Sequence, residues 1–169
     1  MEITLEKLQP GDAKKLYEFE IKNRDYFEKM VPSRGEDYYN YETFKIRHED
    51  LLDEQTNGQS YYYLVKDDNG LILGRMNLVD IDKSRNLGYI GYRVGGAYTG
   101  KGIANRALKL LLETLNKQGI KQILAKTTTN NIPSQKVLEK NGFKQISTSD
   151  EEFIMNGNSV KFVYYKWTI

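Results

Sequence analysis

The feature that most constrains the fold is a glycine-rich turn between a strand-like segment and a long amphipathic helix. Leu87–Val94 is rich in β-prone residues, and its glycines indicate a bulge or a close approach of another backbone. From residue 103 to residue 118, apolar residues recur at helical spacing: Ala104, Ala107, Leu108, Leu111, Leu112 and Leu115. Gly119 suits the position just after a helix. The turn Thr99-Gly100-Lys101-Gly102-Ile103-Ala104 is therefore predicted to lie at a helix N-terminus.

A turn at this position predicts an anion-binding site. The first N–H groups of a helix have no partner inside it, and the helix dipole adds about half a positive charge there. Glycine removes the β-carbon that would block an anion, and it tolerates positive φ angles. A tight turn with no ligand is the alternative. The preceding strand, the long helix and Lys101 favour binding of a pyrophosphate instead.

The remaining periodicity predicts a mixed sheet with helices on its faces. Asp12 is a candidate N-cap for a helix that carries Leu16, Phe19 and Glu20. The aromatic segment 24–41 has no clear period and is predicted to be irregular. The other predicted strands cover residues 2–8, 60–66, 71–81, 122–128, 143–147 and 160–167, and the other helices cover about 42–54 and 133–141, with an Asn156-Gly157 turn between the last two strands.

Length and composition limit the functional classes. A chain of 169 residues fits a single domain, 1–169. The absence of cysteine excludes a disulfide framework and a cysteine nucleophile. With no signal-like segment and no run of about 18 apolar residues, we expect a cytoplasmic protein without a membrane span. The net charge of +2 is spread evenly, so we expect no nucleic-acid partner.

Two kinds of phosphate-binding loop compete for this turn. Residues 95–101 match the spacing of a nucleotide phosphate loop, but Gly102 stands where such a loop needs Ser or Thr for magnesium. No hydrophobic strand with a clear metal-binding aspartate follows the helix. The strands upstream of the turn also disagree with a fold that begins at this strand. A nucleoside triphosphatase is therefore disfavoured.

The turn instead resembles the Q/R-x-x-G-x-G/A acetyl-CoA signature of GNAT acetyltransferases. Thr99 replaces the usual Gln or Arg, and Ala104 occupies the last position of the motif. A second segment, which runs from Asn131 through Ser134 to Gly142-Phe143, resembles the N-x-x-[AS]…G-F helix of the same family. The resemblance covers essentially the whole chain. It looks most like the RimJ/RimL-like branch in three segments: Ile90-Gly91-Tyr92, Gly100-Lys101-Gly102 and Glu139-Lys140-Asn141-Gly142-Phe143.

This resemblance implies an α/β fold with a mixed, largely antiparallel sheet of six to seven strands and about four helices. Leu87–Val94 and Gln122–Thr128 would splay apart around acetyl-CoA, and a backbone N–H near Val94 would polarise the thioester carbonyl. No metal is implied. The cofactor-binding residues would be Val94, Thr99, Gly100, Lys101, Gly102, Ile103, Ala104, Asn131 and Ser134.

The resemblance also implies direct attack by a primary amine, from a peptide N-terminus or a small molecule. Leu138 stands where many family members carry a tyrosine acid, so Ser134 is the substitute, with Tyr92 as a second donor. The base is open among Glu151, Glu152, Asp80 and Asp82, and Glu152 is our choice. His48, the only histidine, is given no role.

The acceptor pocket would include Tyr26, Phe27 and Tyr38 from the aromatic segment. Ordinary packing of a long loop is the alternative for these residues. The competing function is an acetyl-CoA-binding sensor without turnover, which acceptor-dependent thiol release would exclude. A monomer and a homodimer are both compatible with the sequence.

Overall fold

The computed structural model describes residues 2–169, apart from the side chain of residue 116. A seven-stranded sheet has the order β1-β2-β3-β4-β5-β9-β6. All neighbouring strands are antiparallel except β4 and β5, which confirms the predicted mixed sheet. The strands are β1 (Thr4–Lys7), β2 (Tyr61–Lys66), β3 (Ile72–Asp82), β4 (Leu87–Val94), β5 (Gln122–Thr128), β6 (Lys144–Thr148), β7 (Phe153–Met155), β8 (Asn158–Val160) and β9 (Phe162–Thr168).

Five α-helices occur among the described residues, one more than predicted. They are α1 (Ala13–Lys22), α2 (Arg24–Met30), α3 (Tyr41–Thr56), α4 (Ile103–Leu115) and α5 (Ile132–Lys140). The prediction that residues 24–41 are irregular was wrong for α2 and for the 3₁₀ turn Glu36–Tyr39. The short α2 buries Phe27 and pairs Arg24 with Glu28 across one turn. A helix with a single buried residue shows no apolar periodicity, so the sequence carries no signal for α2.

The sheet carries a hydrophobic core on each face. Helices α4 and α5 cover one face, where Ile103, Leu111 and Leu138 pack on Met76 and Ile90. Helices α1 and α3 cover the other face, where their apolar residues pack on alternate positions of β2 and β3: Leu16, Phe19, Phe44, Tyr62, Leu64 and Ile72. The strands are therefore buried on both sides, and their side chains divide between two layers.

Two local predictions need correction. The Asn156-Gly157 turn does not join the last two strands of the sheet, because it closes a separate hairpin made by β7 and β8. Asp12 does precede α1, but its side chain makes no bond to that helix. The Asp12 carboxylate instead accepts from the backbone N–H of Gln9 at 2.8 Å, because Pro10–Asp12 forms a 3₁₀ turn before α1.

The parallel pair β4–β5 separates partway along its length. Leu87 to Ile90 pair with Gln122 to Ala125, and the register recorded for the described residues goes no further. Strand β4 nevertheless stays paired with β3 as far as Val94. The C-terminal halves of β4 and β5 therefore diverge and leave a gap within the sheet, as the resemblance implied.

Candidate functional site

The gap is bordered by a backbone N–H group of β4. Gly95 donates its N–H to the Leu73 carbonyl of β3 at 2.8 Å. Because alternate residues of an antiparallel strand direct their N–H groups to opposite sides, the Val94 N–H points away from β3. It therefore points into the gap, as expected for a group that polarises a thioester carbonyl.

Gly74 lets β3 approach β4 closely beside this N–H group. A β-carbon at Gly74 would lie 2.6 Å from the carbonyl oxygen of Arg93 and 3.2 Å from the Cα of Val94. Both contacts are with backbone atoms, which a side-chain movement cannot relieve. The absence of a side chain at Gly74 thus fixes the position of Val94.

Gly95 and Gly96 are required for packing rather than for a positive φ angle. A β-carbon at Gly95 would lie 3.1 Å from the Phe19 ring, and one at Gly96 would lie 3.1 Å from the Tyr26 ring. The buried side chain of Asn23 accepts from the Gly96 N–H at 2.8 Å and donates to the Phe19 carbonyl at 2.9 Å. The end of α1 therefore holds the segment that leads from β4 to the glycine-rich turn.

The glycine-rich turn has the geometry of an anion site. Gly100 and Gly102 have φ angles of 76° and 75°, which favour glycine. Arg106 hydrogen-bonds to two carbonyl groups of the turn. Its Nη2 donates to the Lys101 carbonyl at 3.1 Å, and its backbone N–H donates to the Gly102 carbonyl at 3.1 Å. The first N–H groups of α4 have no partner inside the helix. These features fit a bound pyrophosphate.

A cavity of about 370 Å³ joins this turn to the gap in the sheet. Every predicted cofactor-binding residue except Lys101 lines it: Val94, Thr99, Gly100, Gly102, Ile103, Ala104, Asn131 and Ser134. The side chain of Lys101 is exposed and is not part of this wall. We call this cavity the donor side.

Asn131 and Ser134 have distinct roles at the start of α5. Asn131 is the N-cap, and its Oδ1 accepts from the Ser134 N–H at 3.3 Å. The Ser134 hydroxyl is therefore not the N-cap of α5. Ser134 Oγ instead lies 3.2 Å from the hydroxyl of Tyr92, which also donates to the Ser134 carbonyl at 3.3 Å.

Tyr92 keeps its proton at neutral pH. Burial raises the pKa of the Tyr92 hydroxyl to about 12, although the hydrogen bond with Ser134 acts in the opposite direction. Leu138, at the position of the missing tyrosine acid, is 1% exposed and packs in the core between α5 and the sheet. The Tyr92–Ser134 pair therefore supplies the hydroxyl groups at the gap.

A second cavity of about 320 Å³ adjoins the donor side at the gap, and we call it the acceptor side. Both cavities include Tyr92 and Ser134 in their walls. The acceptor side is also lined by Arg34, Asn77, Gly91, Arg93 and Lys126. No atom lies within 4 Å of a β-carbon built at Gly91, so this glycine leaves room above the strand. The two cavities meet at the hydroxyl pair.

The predicted acceptor-pocket residues divide between cavity wall and core. Tyr26 and Phe27 line the donor side rather than the acceptor side. Tyr38 lines neither cavity, and its hydroxyl accepts from Arg75 Nη1 at 2.9 Å in the core. Its burial against Phe44 and Tyr39 explains why an aromatic-rich segment did not make a substrate pocket.

The structure does not bring the proposed base to either cavity. Glu152 is exposed on the β7–β8 hairpin, where it accepts from Ser159 Oγ at 2.6 Å. Glu151 is exposed nearby, and the described walls of the two cavities contain no carboxylate. His48 is buried with Nε2 at 2.9 Å from the Gln9 carbonyl, which is a structural contact.

Sequence reasoning missed a buried charge cluster behind the acceptor side. Glu20 is fully buried, and its two carboxylate oxygens lie 2.7 Å from Arg75 Nη1 and 3.1 Å from Arg93 Nη1. Burial alone would raise the pKa of Glu20, but the two guanidinium groups outweigh it and hold the pKa below its ordinary value. The one sequence signal for this cluster was the position of Glu20 beside the apolar residues Leu16 and Phe19 on the buried side of α1. Its partners on two strands were not identifiable from the sequence.

Within residues 2–169, no cluster of three or more His, Asp or Glu residues could hold a metal ion. In the same part of the chain, no helix is long and apolar enough to cross a membrane.

Comparisons with known proteins agree with this geometry. Residues 2–144 match the family described as "Acetyltransferase (GNAT) domain". "Probable N-acetyltransferase YjcK" of Bacillus subtilis (strain 168) is 27% identical over 160 residues, which are 92% of this chain and 87% of that protein. The ribosomal-protein-S5-alanine acetyltransferase from Vibrio fischeri has a TM-score of 0.90 at 23% identity, covering 99% of this chain and 93% of that one. The microcin C7 self-immunity acetyltransferase MccE, in complex with acetyl-CoA and AMP, has a TM-score of 0.87 at 25% identity. The match covers 99% of this chain and 93% of that one.

Proposed function

The chain belongs to the GNAT acetyltransferase family and transfers acetyl from acetyl-CoA to a primary amine; from this premise, we propose that the amine is the α-amino group at a protein or peptide N-terminus. The observation that carries the proposal is the pair of cavities that meet at Tyr92 and Ser134 through the gap between β4 and β5. A donor and an acceptor bound in these adjoining cavities can meet at the gap. The Vibrio fischeri neighbour is a ribosomal-protein-S5-alanine acetyltransferase, and alanine has no side-chain amine, so this likeness supports an N-terminal acceptor.

The lack of a carboxylate in the cavity walls favours an α-amino acceptor over a lysine-type amine. An α-amino group has a reference pKa near 8, so at pH 7 its deprotonation costs about 1.4 kcal/mol. A lysine-type amine has a reference pKa of about 10.4, and the same step costs about 4.6 kcal/mol. With no base beside the amine, the difference of about 3 kcal/mol favours the α-amino group. Water is then the proton acceptor, and the structure gives Glu152 no support in that role.

The donor-side residues have separate tasks in this proposal. The N–H groups from Gly100 to Ala104 hold the pyrophosphate of acetyl-CoA, which supplies the acyl group. The Val94 N–H donates to the thioester carbonyl and stabilises the negative charge that develops as the amine attacks. Tyr26 and Phe27 shield this part of the cleft from solvent.

Ser134 and Tyr92 assist departure of the thiolate. In this proposal the Tyr92 hydroxyl directs its one hydrogen at the two Ser134 oxygens, at 3.3 Å from the carbonyl and 3.2 Å from Oγ, and the Ser134 hydroxyl turns its own hydrogen toward the leaving sulfur. A thiol has a reference pKa of about 8.5, so a modest donor is sufficient near neutral pH. Because the Tyr92 pKa is about 12, Tyr92 orients Ser134 without losing its own proton.

Release of CoA thiol in the presence of peptides tests this proposal. We expect release with a peptide that has a free alanine N-terminus, and none above background with the same peptide N-terminally blocked. A lysine side chain on the blocked peptide should be a poor acceptor. Equal release with the blocked lysine peptide would contradict an α-amino preference. Binding of acetyl-CoA without release for any amine would support the sensor alternative instead.

We further propose that residues 1–169 act as one catalytic domain, since both cores pack on a single sheet. A cytoplasmic location is proposed because acetyl-CoA and newly made N-termini are both present there. The expectation of a monomer or homodimer stays a prediction that sedimentation equilibrium can decide.

A further inference from the structure

The acceptor side carries three cationic side chains and, among its described lining residues, no carboxylate. These cations are Arg34, Arg93 and Lys126. Within residues 2–169, no ion pair is recorded for Arg34 or for Lys126. Aromatic rings support them instead: Arg34 lies 5.0 Å from the centre of the Tyr38 ring, and Lys126 lies 4.6 Å from that of Phe162. Arg34 and Lys126 are therefore held in place by aromatic rings rather than by counter-ions.

The cluster behind Arg93 adds to this positive charge. One carboxylate, Glu20, is shared by two guanidinium groups, Arg75 and Arg93, which leaves one net positive charge in a buried position. Burial, and next the positive charge of Arg34, lower the pKa of Arg93. Arg34 is thus close enough to repel Arg93 electrostatically. A bound anion would offset both the burial of the excess charge and this repulsion.

A free hydrogen-bond acceptor lies in the same cavity. The Oδ1 of Asn77 is buried and has no hydrogen-bond partner in the part of the chain that the structure describes. Asn77 pairs with Gly91 across the strands, and the next pair on that face is Arg75 with Arg93. Residues two apart along a strand are separated by about 7 Å. Asn77, which can accept a hydrogen bond from an amine, is therefore about 7 Å along the strand from the position of Arg75, a distance that two residues of a peptide span.

We propose that the acceptor carries a carboxylate close to its reactive amine, bound by Arg34, Arg93 and Lys126, while Asn77 accepts a hydrogen bond from the amine. The proposal rests on the proposed N-acetyltransferase function and names its substrate class. The carboxylate is either the side chain of an acidic residue next to the N-terminus of a peptide or the α-carboxylate of a free amino acid. In both cases a planar carboxylate matches the guanidinium groups.

Matched acceptors test the preference by CoA thiol release. Peptides that begin Ala-Glu, Ala-Gln and Ala-Lys differ only in charge at the second residue, and free alanine differs from alaninamide by its carboxylate. We expect kcat/KM about tenfold higher for the carboxylate member of a pair, mostly through KM, as for a charge-assisted hydrogen bond. A preference confined to the peptides, or to alanine, identifies the source of the carboxylate. Equal kcat/KM for acidic, amide and lysine acceptors would overturn the proposal.

Variants at the exposed cations link the preference to this cavity. Arg34→Gln and Lys126→Gln should each reduce the Ala-Glu to Ala-Gln ratio severalfold, and the double variant should bring it near one. Arg47→Gln is the matched control, because Arg47 also lies over the Tyr38 ring but does not line the cavity. An unchanged ratio in the double variant would overturn the assignment. No thiol release with any acceptor by the parent protein would instead remove the proposed function itself.

Discussion

The donor side and the acceptor side of the cleft are built in different ways. The donor side uses mainly backbone groups from one continuous stretch, Val94 to Ala104, together with the start of α5 and the Tyr26 and Phe27 side chains of α2. The acceptor side uses side chains that are distant in sequence: Glu20 contacts Arg75 and Arg93, which are 55 and 73 residues away. A backbone site is specified by a local glycine pattern, whereas a side-chain site depends on how helices and strands pair. The two sides should therefore respond differently to substitution.

The largest expected effect concerns the buried charge on the acceptor side. Glu20→Gln leaves Arg75 and Arg93 without their shared carboxylate, and we expect it to lower the free energy of unfolding by about 3–5 kcal/mol. Urea titration measures the loss. Glu18→Gln, an exposed change on the same helix, should alter the free energy of unfolding by less than about 0.5 kcal/mol. If both variants match the parent, the cluster does not stabilise the fold.

The same variant should change how stability depends on pH. Because the pKa of Glu20 is lowered in the folded state, its stabilisation is present above the ordinary glutamate pKa of about 4.3 and is lost as the pH falls through the folded-state pKa. The difference between the parent and Glu20→Gln should thus be constant near neutral pH and shrink in acid. A difference that grows below pH 4 would contradict the sign of the shift.

A smaller loss of stability is expected for a substitution at Gly74, where β3 packs closely against β4 beside both cavities. Gly74→Ala places a β-carbon against the backbone of Arg93 and Val94, and we expect a loss of about 1–3 kcal/mol in the free energy of unfolding. Displacement of the Val94 N–H should also lower kcat for acetyl transfer. Gly91→Ala adds a β-carbon on the paired strand where no atom lies within 4 Å, so its stability should stay at the parent value. Equal losses in both variants would show that steric contact is not the cause.

The smallest effect is predicted for the hydroxyl pair that joins the two sides. Tyr92→Phe removes one hydrogen bond, worth about 1 kcal/mol, so kcat should fall about fivefold with little change in KM. Steady-state thiol release gives both constants. Tyr89→Phe, on an exposed position of the same strand, should leave both constants unchanged. A rise in KM at constant kcat would assign Tyr92 to acceptor binding rather than to orientation of Ser134.

The local patterns allowed much of the fold and the donor side to be predicted. The apolar stripe of α4 was predicted from its spacing, and the structure confirms that Ala107, Leu108, Leu111 and Leu115 pack in the core. Gly119 was predicted to follow the helix, and it does so with a φ of 75° after the 3₁₀ turn Asn116–Gln118 that continues α4. The glycine-rich turn was predicted for the same reason, since helix start and glycine pattern lie within a few residues. Even here, the resemblance to a family was needed to connect the turn with the splayed strands.

The acceptor side could not be predicted because its contacts are long-range. Nothing near Arg93 in sequence indicates that Glu20 and Arg34 approach it. Tyr38 and Phe27 come from one aromatic segment, yet one packs in the core and the other lines the donor side. Glu152 was chosen for its position near the last hairpin, whereas β7 and β8 form a separate hairpin outside the two cavity walls.

Calorimetric titration of acetyl-CoA into three proteins tests most directly whether the two sides are separate. The parent protein should bind. Gly102→Ala should bind about tenfold more weakly, because the added β-carbon disfavours φ 75° by roughly 1–2 kcal/mol and the free turn relaxes away from the geometry that binds the pyrophosphate. Arg34→Gln should bind acetyl-CoA as the parent does while raising KM for an acidic acceptor. Absence of binding by the parent, or equal weakening in Gly102→Ala and Arg34→Gln, would contradict a donor side built from backbone and an acceptor side built from side chains.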